Sequence, residues 1–520
     1  MKRCAAWLLI LCLICTLFAG CSSGDEAYVP TGDAMEYEED YTGPTEPPTE
    51  EEPEGQVLSL TYYPEISLNP YKCRDYTNRV LFSLLYQGLF ATNRDNQVLP
   101  ILCKNYRMSR DMRIYTFYIE ENVTFSDGTR MTIQDVLDSL LAAKESPIYS
   151  GRFLQVEEIR LSDDEKGITM KLSTPYENLP LLLDVPILKS NQVEHDAPVG
   201  TGPYFMRKSG LQTSLIRRKN WWCESQNMVI TADVIPLSKA ESVNQIRDNF
   251  QFGTLDVVCA DPGSDRYADY RCDFELWDCE TGIFLYLVIG DYSKVFKSQE
   301  MRTALTYAID RELLAQEYYR GFAQAASLPA SPSSPYYSPT LAARYSYNKD
   351  KFAQVVQNTE LGENTVKLLV NGDDSLRTRV ARAIAAMLTE CGLVVEVQAL
   401  TGYAYTTALN NWEFDLYLGQ TMLSPNMDLT QFFFTYGTLR QGGISDVNAY
   451  TLCQQALENH GNYYTLHQTV MDNGMLCPIL FRSYAIYATR GLVTDLQPAR
   501  DNIFCYSVGK TMEDVYSVSE

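Results

Sequence analysis

Apolar residues recur along most of this chain in two alternating rhythms, one of period two and one near 3.6. Tyr115-Thr116-Phe117-Tyr118-Ile119 is short, aromatic and β-rich, and predicts a strand. Ser126-Asp127-Gly128 then predicts a turn, with glycine where positive φ is needed. Thr132, with Asp135 three places on, predicts a capping box. The helix it opens carries Val136, Leu137, Leu140 and Leu141 on one face. Met301, Ala304, Leu305, Ala308 and Ile309 also fall at helical spacing. The clearest unit begins with a predicted strand over 366–370 and a turn over 371–374. Val380, Ala383, Ile384, Met387, Leu388 and Cys391 then line a helix that Gly392 stops, and the next strand begins over 393–397. Strand, helix and strand in that order require a right-handed crossover and a parallel pair, hence an α/β fold. Pro329, Pro332, Pro335 and Pro339, set among serines, predict an exposed loop. No internal repeat interrupts the pattern.

The N-terminus follows neither rhythm. Lys2 and Arg3 precede an apolar run over 5–18, and Leu17-Phe18-Ala19-Gly20 brings small residues up to Cys21. The run is shorter than the roughly 20 residues of a spanning helix, so 1–20 reads as a signal peptide. Cys21 behind a small pair resembles the bacterial lipobox, although Phe18 stands at the usual leucine position. The resemblance implies a diacylglyceryl anchor on Cys21; an ordinary secretory signal with an incidental cysteine is the other reading. Residues 22–56 hold twelve Asp and Glu and no Lys or Arg, with Pro44, Pro47, Pro48 and Pro53 adding stiffness. So little can be buried there that 21–56 is expected to be an extended, self-repelling tether.

About 460 residues remain, a length suited to two or three domains. The net charge of −23 argues against nucleic-acid binding, which needs clustered Lys and Arg. Of 14 cysteines, Cys4, Cys12 and Cys15 leave with the signal and Cys21 takes the lipid. Cys272 and Cys279 are near enough for a local disulfide in an oxidising compartment; buried free thiols are the alternative. No paired-His zinc helix, phosphate-cradling loop or nucleophile elbow occurs. Gly200-Thr201-Gly202-Pro203-Tyr204 is no dinucleotide loop, because Pro203 removes a donor and no third glycine follows in register. His195, His460 and His467 stand apart from any metal-spaced cluster. Binding without catalysis, cofactor or metal is therefore the expectation.

Seven segments, in order, carry a resemblance: Ser67-Leu68-Asn69-Pro70, Leu84-Leu85-Tyr86-Gln87-Gly88-Leu89, Phe125-Ser126-Asp127-Gly128-Thr129, the Gly200 to Tyr204 turn, Asn220-Trp221-Trp222, Ala308-Ile309-Asp310-Arg311 and Phe414-Asp415-Leu416. Together they are similar to the extracellular solute-binding proteins of family 5, the oligopeptide, dipeptide and nickel binders of ABC importers, across roughly 57–510. Each segment also has a local reading. Gly200 and Gly202 let two backbones approach, and Asn220, Trp221 and Trp222 serve packing.

The resemblance implies a two-lobed, periplasmic-binding-protein-like fold of type II with an extra subdomain. Lobe I would comprise 57–75 and 189–283, with a subdomain inserted over 76–188. Lobe II would span 284–478, and 479–520 would return to lobe I. It implies a monomer on the outer face of the cell membrane that captures a small or peptide ligand and partners an ABC permease and ATPase. A sensing or adhesion lipoprotein of the same fold, without an importer, is the alternative. Cleft candidates are Tyr62, Tyr63, Asn69 and Tyr71 around the first strand, and Gln420, Thr421, Met422 and Leu423 after the Phe-Asp-Leu segment. Related peptide binders hold the ligand's amino terminus with an Asp where Thr421 stands here. Asp428 either compensates or caps the helix leading to Phe432, and a modified peptide, a sugar-like compound or a metal chelate stays open.

Overall fold

The computed structural model describes residues 58–518 apart from 224–227, 266, 268, 362–363, 494–495 and 501. The signal, Cys21 and the tether lie outside the described residues.

The helix expected after Thr132 runs Ile133–Glu145, and both halves of its capping box form between Thr132 and Asp135. Val136 and Leu140 are buried, whereas Leu141 lies at the edge of the stripe and faces solvent. Gly128 holds φ +83°, as its turn requires. Farther on, Val366–Asn371 and Val395–Leu400 pair in parallel across the helix Ser375–Glu390, which Asp374 caps. That second strand starts two residues later than its pattern suggests. Gly392, at φ +100°, and Leu393 instead close a Schellman turn, their N–H groups donating to Thr389 O at 3.0 Å and Leu388 O at 3.2 Å.

Among the described residues, three larger sheets organise the chain. The first runs Leu60–Tyr62, Val234–Lys239, Gln212–Arg217, Tyr204–Ser209. The second runs Tyr516–Val518, Cys103–Met108, Ile114–Ile119, Gly167–Leu172, Val156–Leu161, so the last strand of the chain joins the segment between 76 and 188. The third is seven-stranded and runs Val257–Ala260, Leu476–Thr489, Phe274–Ile289, Leu416–Met422, Val366–Asn371, Val395–Leu400, with Ala323–Ala325 beside Leu476–Thr489. Phe274–Ile289 and Leu476–Thr489 are the long members, antiparallel from Phe274↔Thr489 to Val288↔Leu476. Their register shifts between Glu280 and Ile283, where Gly282 takes φ +69°.

Both glycines of the Gly200 to Tyr204 turn are packed on backbone. A Cβ at Gly200 would strike Leu85 O and one at Gly202 would strike Leu84 O, while Gly202 N–H donates to Leu85 O at 3.1 Å. Trp221 and Trp222 pack edge to face, their indole N–H groups donating to Thr201 O and Gln87 Oε1. The proline-rich stretch corrects its expectation of exposure. It is a loop, but Leu328, Pro329, Ala330 and Tyr336 are buried, because Leu328 packs with Leu341 and Tyr345 while Tyr336 enters the core around Phe432. No disulfide joins Cys272 to Cys279: Cys272 is a free thiol, and the Cys279 sulfur contacts the Ala499 carbonyl at 3.5 Å.

Candidate functional site

A cleft of about 690 Å³ opens between the segments 73–79 and 147–154 on one side and 420–439 on the other. The strand Leu416–Met422 supplies Gln420, Thr421 and Met422, and the turn beyond it supplies Leu423, Ser424 and Asp428. The long central strands contribute Ile283 and Tyr484, whose ring meets Tyr76 edge-on at 4.1 Å. The two sides already touch. Ser424 Oγ donates to Gly151 O at 2.8 Å, and Gln155 Nε2 donates to Asp428 Oδ2 at 3.2 Å. Arg500 Nη1 closes the rear by donating to Leu423 O.

Behind Gln420 lies an ion pair whose arginine is buried and whose carboxylate is partly exposed. Arg482 donates through Nη2 to both oxygens of Asp261, at 2.9 and 2.8 Å, and through Nη1 to Gln420 Oε1 at 3.3 Å. Burial alone would lower the Arg482 pKa, but the Asp261 charge outweighs it and the guanidinium stays charged. Asp428 is pushed the other way. Burial raises its pKa, opposed by the Thr430 N–H that donates to Oδ1 at 2.7 Å. Arg152 forms a buried pair with Asp184. His460 Nδ1 lies 2.9 Å from Glu177 Oε1, whereas His467 is buried with neither ring nitrogen hydrogen-bonded among the described residues, and burial lowers its pKa to about 3. Among the described residues, no group of three or more His, Cys, Asp or Glu side chains is placed to share a metal ion.

A solute-sized cleft between two sides that rest on a shared pair of long strands is the geometry of a two-lobed binding protein. Residues 97–443 match the model of the bacterial extracellular solute-binding proteins, family 5 Middle. The chain belongs to this family. As a family 5 protein it is 21% identical over 369 residues to the nickel-binding protein NikA of Staphylococcus aureus, covering 69% of this chain and 73% of that one. It is 24% identical over 370 residues to the oligopeptide-binding protein AppA of Bacillus subtilis, covering 64% and 67%. Across the first relatives it matches, the chain spans between 55% and 73% of their length. The crystal structure of the ABC transporter substrate-binding protein CtaP from Listeria monocytogenes superimposes with a TM-score of 0.69 at 16% identity, over 86% of this chain and 97% of that one. The two-lobed α/β fold follows, and the relatives are binding proteins rather than enzymes. Family 5 proteins bind solutes outside the cytoplasm and work with an ABC permease and ATPase. Among the described residues, no helix is long and apolar enough to cross a membrane.

In this family 5 protein the sequence candidates divide. Gln420, Thr421, Met422, Leu423 and Asp428 line the cleft. Tyr62, Asn69 and Tyr71 are buried in the frame instead. Tyr62 Oη donates to Thr213 Oγ1, Tyr71 Oη donates to Pro186 O, and Asn69 Nδ2 donates to the Val193 and His195 carbonyls. Tyr63 packs beside Ile246 and Phe250. Sequence reasoning passed over Arg74, Tyr76, Arg79, Arg152, Tyr484 and Arg500, all in the lining. The first three stand a few places after Ser67-Leu68-Asn69-Pro70, which is the signal that could have found them.

Proposed function

We propose that this chain is a lipoprotein, anchored through Cys21, that captures a peptide-like solute between its lobes and passes it to an ABC importer. The observation that carries the reading is the cleft, whose volume of about 690 Å³ falls in the range of roughly 300–1,000 Å³ typical of small-molecule sites. Its lining mixes apolar contacts from Ile283, Met422 and Leu423 with hydrogen-bonding groups from Gln420, Thr421 and Gln431. Likeness to AppA favours peptides, whereas likeness to NikA keeps a metal chelate in view.

The hinge of this reading is the register shift at Glu280 to Ile283, inside strands that run through the expected lobe boundaries at 283–284 and 478–479. Ladder pairing continues on either side of the shift, so rotation can concentrate there. A solute favours closure only by the contacts it makes in the closed state beyond those in the open one. Taking the population from mostly open to mostly closed requires about 5.5 kcal/mol of that difference.

Native mass spectrometry of the full chain, with whatever it carries through purification, tests the reading alongside solution scattering. A retained mass in the peptide range, with a smaller radius of gyration in the loaded form, is the expected result. A protein that retains nothing and keeps one scattering profile with every peptide added would overturn it.

A further inference from the structure

Gln420 is held in one orientation. Its Oε1 accepts from Arg482 Nη1 at 3.3 Å, and Arg482 is itself fixed by both oxygens of Asp261. A guanidinium offers donors only, so a flipped amide would set NH₂ against N–H. Nε2 is therefore kept for the side on which Gln420 meets the cleft. Beside it, the Thr421 hydroxyl also lines the cleft, and neither group takes a protein partner among the described residues. The acid in the lining, Asp428, spends its oxygens on Thr430 N–H and Gln155 Nε2. The other charged lining residues are Arg74, Arg79, Arg152 and Arg500.

We propose that Gln420 Nε2 and the Thr421 hydroxyl form a subsite for a carboxylate of the solute, with Arg482 and Asp261 as positioning residues. The inference rests on the cleft being the solute site and adds the chemical group that its floor selects. A carboxylate accepts from both donors at once, and Arg74, Arg79 and Arg500 in the same lining favour its charge, Arg152 being neutralised by Asp184. A ligand ammonium would meet the Gln420 amide as a fixed donor, with the Thr421 hydroxyl alone able to accept from it.

Titration calorimetry on the full chain tests this with three tripeptide pools: free termini, amidated C-termini, and acetylated N-termini. Citrate and succinate serve as carboxylate probes that are not peptides. Gln420→Glu is the informative variant, because it keeps an acceptor for Arg482 while replacing the donor with an anionic oxygen. Wild type should bind the free and acetylated pools about tenfold or more tighter than the amidated pool. The variant should lose that preference. Equal binding of acid and amide pools by wild type, or an unchanged preference in Gln420→Glu, would overturn the subsite and leave the peptide reading standing. Binding of citrate or succinate alone, lost in the variant, would support the subsite and overturn the peptide reading. Failure of every carboxylate probe to bind would overturn the subsite outright.

Discussion

Replacing Asp261 with Asn isolates the cost of the charge that stabilises Arg482. The guanidinium is 8% exposed, lies over the Tyr319 ring at 5.4 Å, and has no hydrogen-bond partner for Nε. Asn preserves shape but offers one acceptor where the carboxylate offered two, and leaves a buried cation uncompensated. Breaking a fully buried pair in this way costs roughly 3–5 kcal/mol. The Asp261 side chain is 31% exposed, however, so water screens part of the interaction. Allowing for that screening, Asp261→Asn should destabilise the protein by about 2–3 kcal/mol. Urea unfolding followed by circular dichroism reads the loss directly, and Arg482→Met completes a double-mutant cycle. With both charges gone the double variant should be more stable than the summed single losses imply, by about 1 kcal/mol or more. A loss below about 0.5 kcal/mol in Asp261→Asn, or strictly additive effects, would refute the view that this pair is electrostatically coupled.

Acid should weaken the fold through His467. Its pKa is lowered by burial to about 3, so the folded protein resists a proton that the unfolded chain takes up below its ordinary value of 6.5. Stability should be unaffected by this residue above about pH 6.5 and fall by about 2 kcal/mol by pH 5, a dependence that His467→Leu removes; parallel pH profiles for the two proteins would contradict this. Thr421→Asp should invert the preference of the cleft, weakening binding through a solute carboxylate and admitting a free amino terminus, measured by calorimetry; unchanged binding of both kinds of peptide would show that position 421 does not meet the solute. Cys21→Ala should release the protein into the medium, and its retention in membrane fractions would refute lipidation.

How much of this was legible in the sequence depended on the range of the interaction. Thr132 and Asp135 cap each other within one turn, and Gly392 ends its helix by a local backbone conformation, so both could be read from spacing. The Gly200 and Gly202 pair was legible too, because only the missing Cβ allows the approach to Leu84 and Leu85. The site was half legible. Residues 420–423 and 428 follow a recognisable strand and fall in the cleft. Tyr62 and Tyr71 have the same amphipathic chemistry, yet they satisfy their hydroxyls inside the frame, on Thr213 and Pro186, residues more than a hundred positions away. Nothing in their immediate neighbours separates a tyrosine that faces solute from one that buttresses a sheet. The Arg482 contact that sets the face of the Gln420 amide is equally invisible, since it spans 62 positions.

Leu181 has a consequence for the unloaded protein. It sits between Leu179 and Leu182, which pack with Phe90, Phe117 and Leu188, but its own side chain, 4% exposed, is gathered into a separate cluster with Tyr336, Met427 and Phe432. In the capture proposed above, opening the cleft would draw it out of that nest into water, at about 1.5–3 kcal/mol for a leucine. On that proposal an empty protein has a grip of its own, fastened away from the cargo, and a solute has correspondingly less work to do in shutting it.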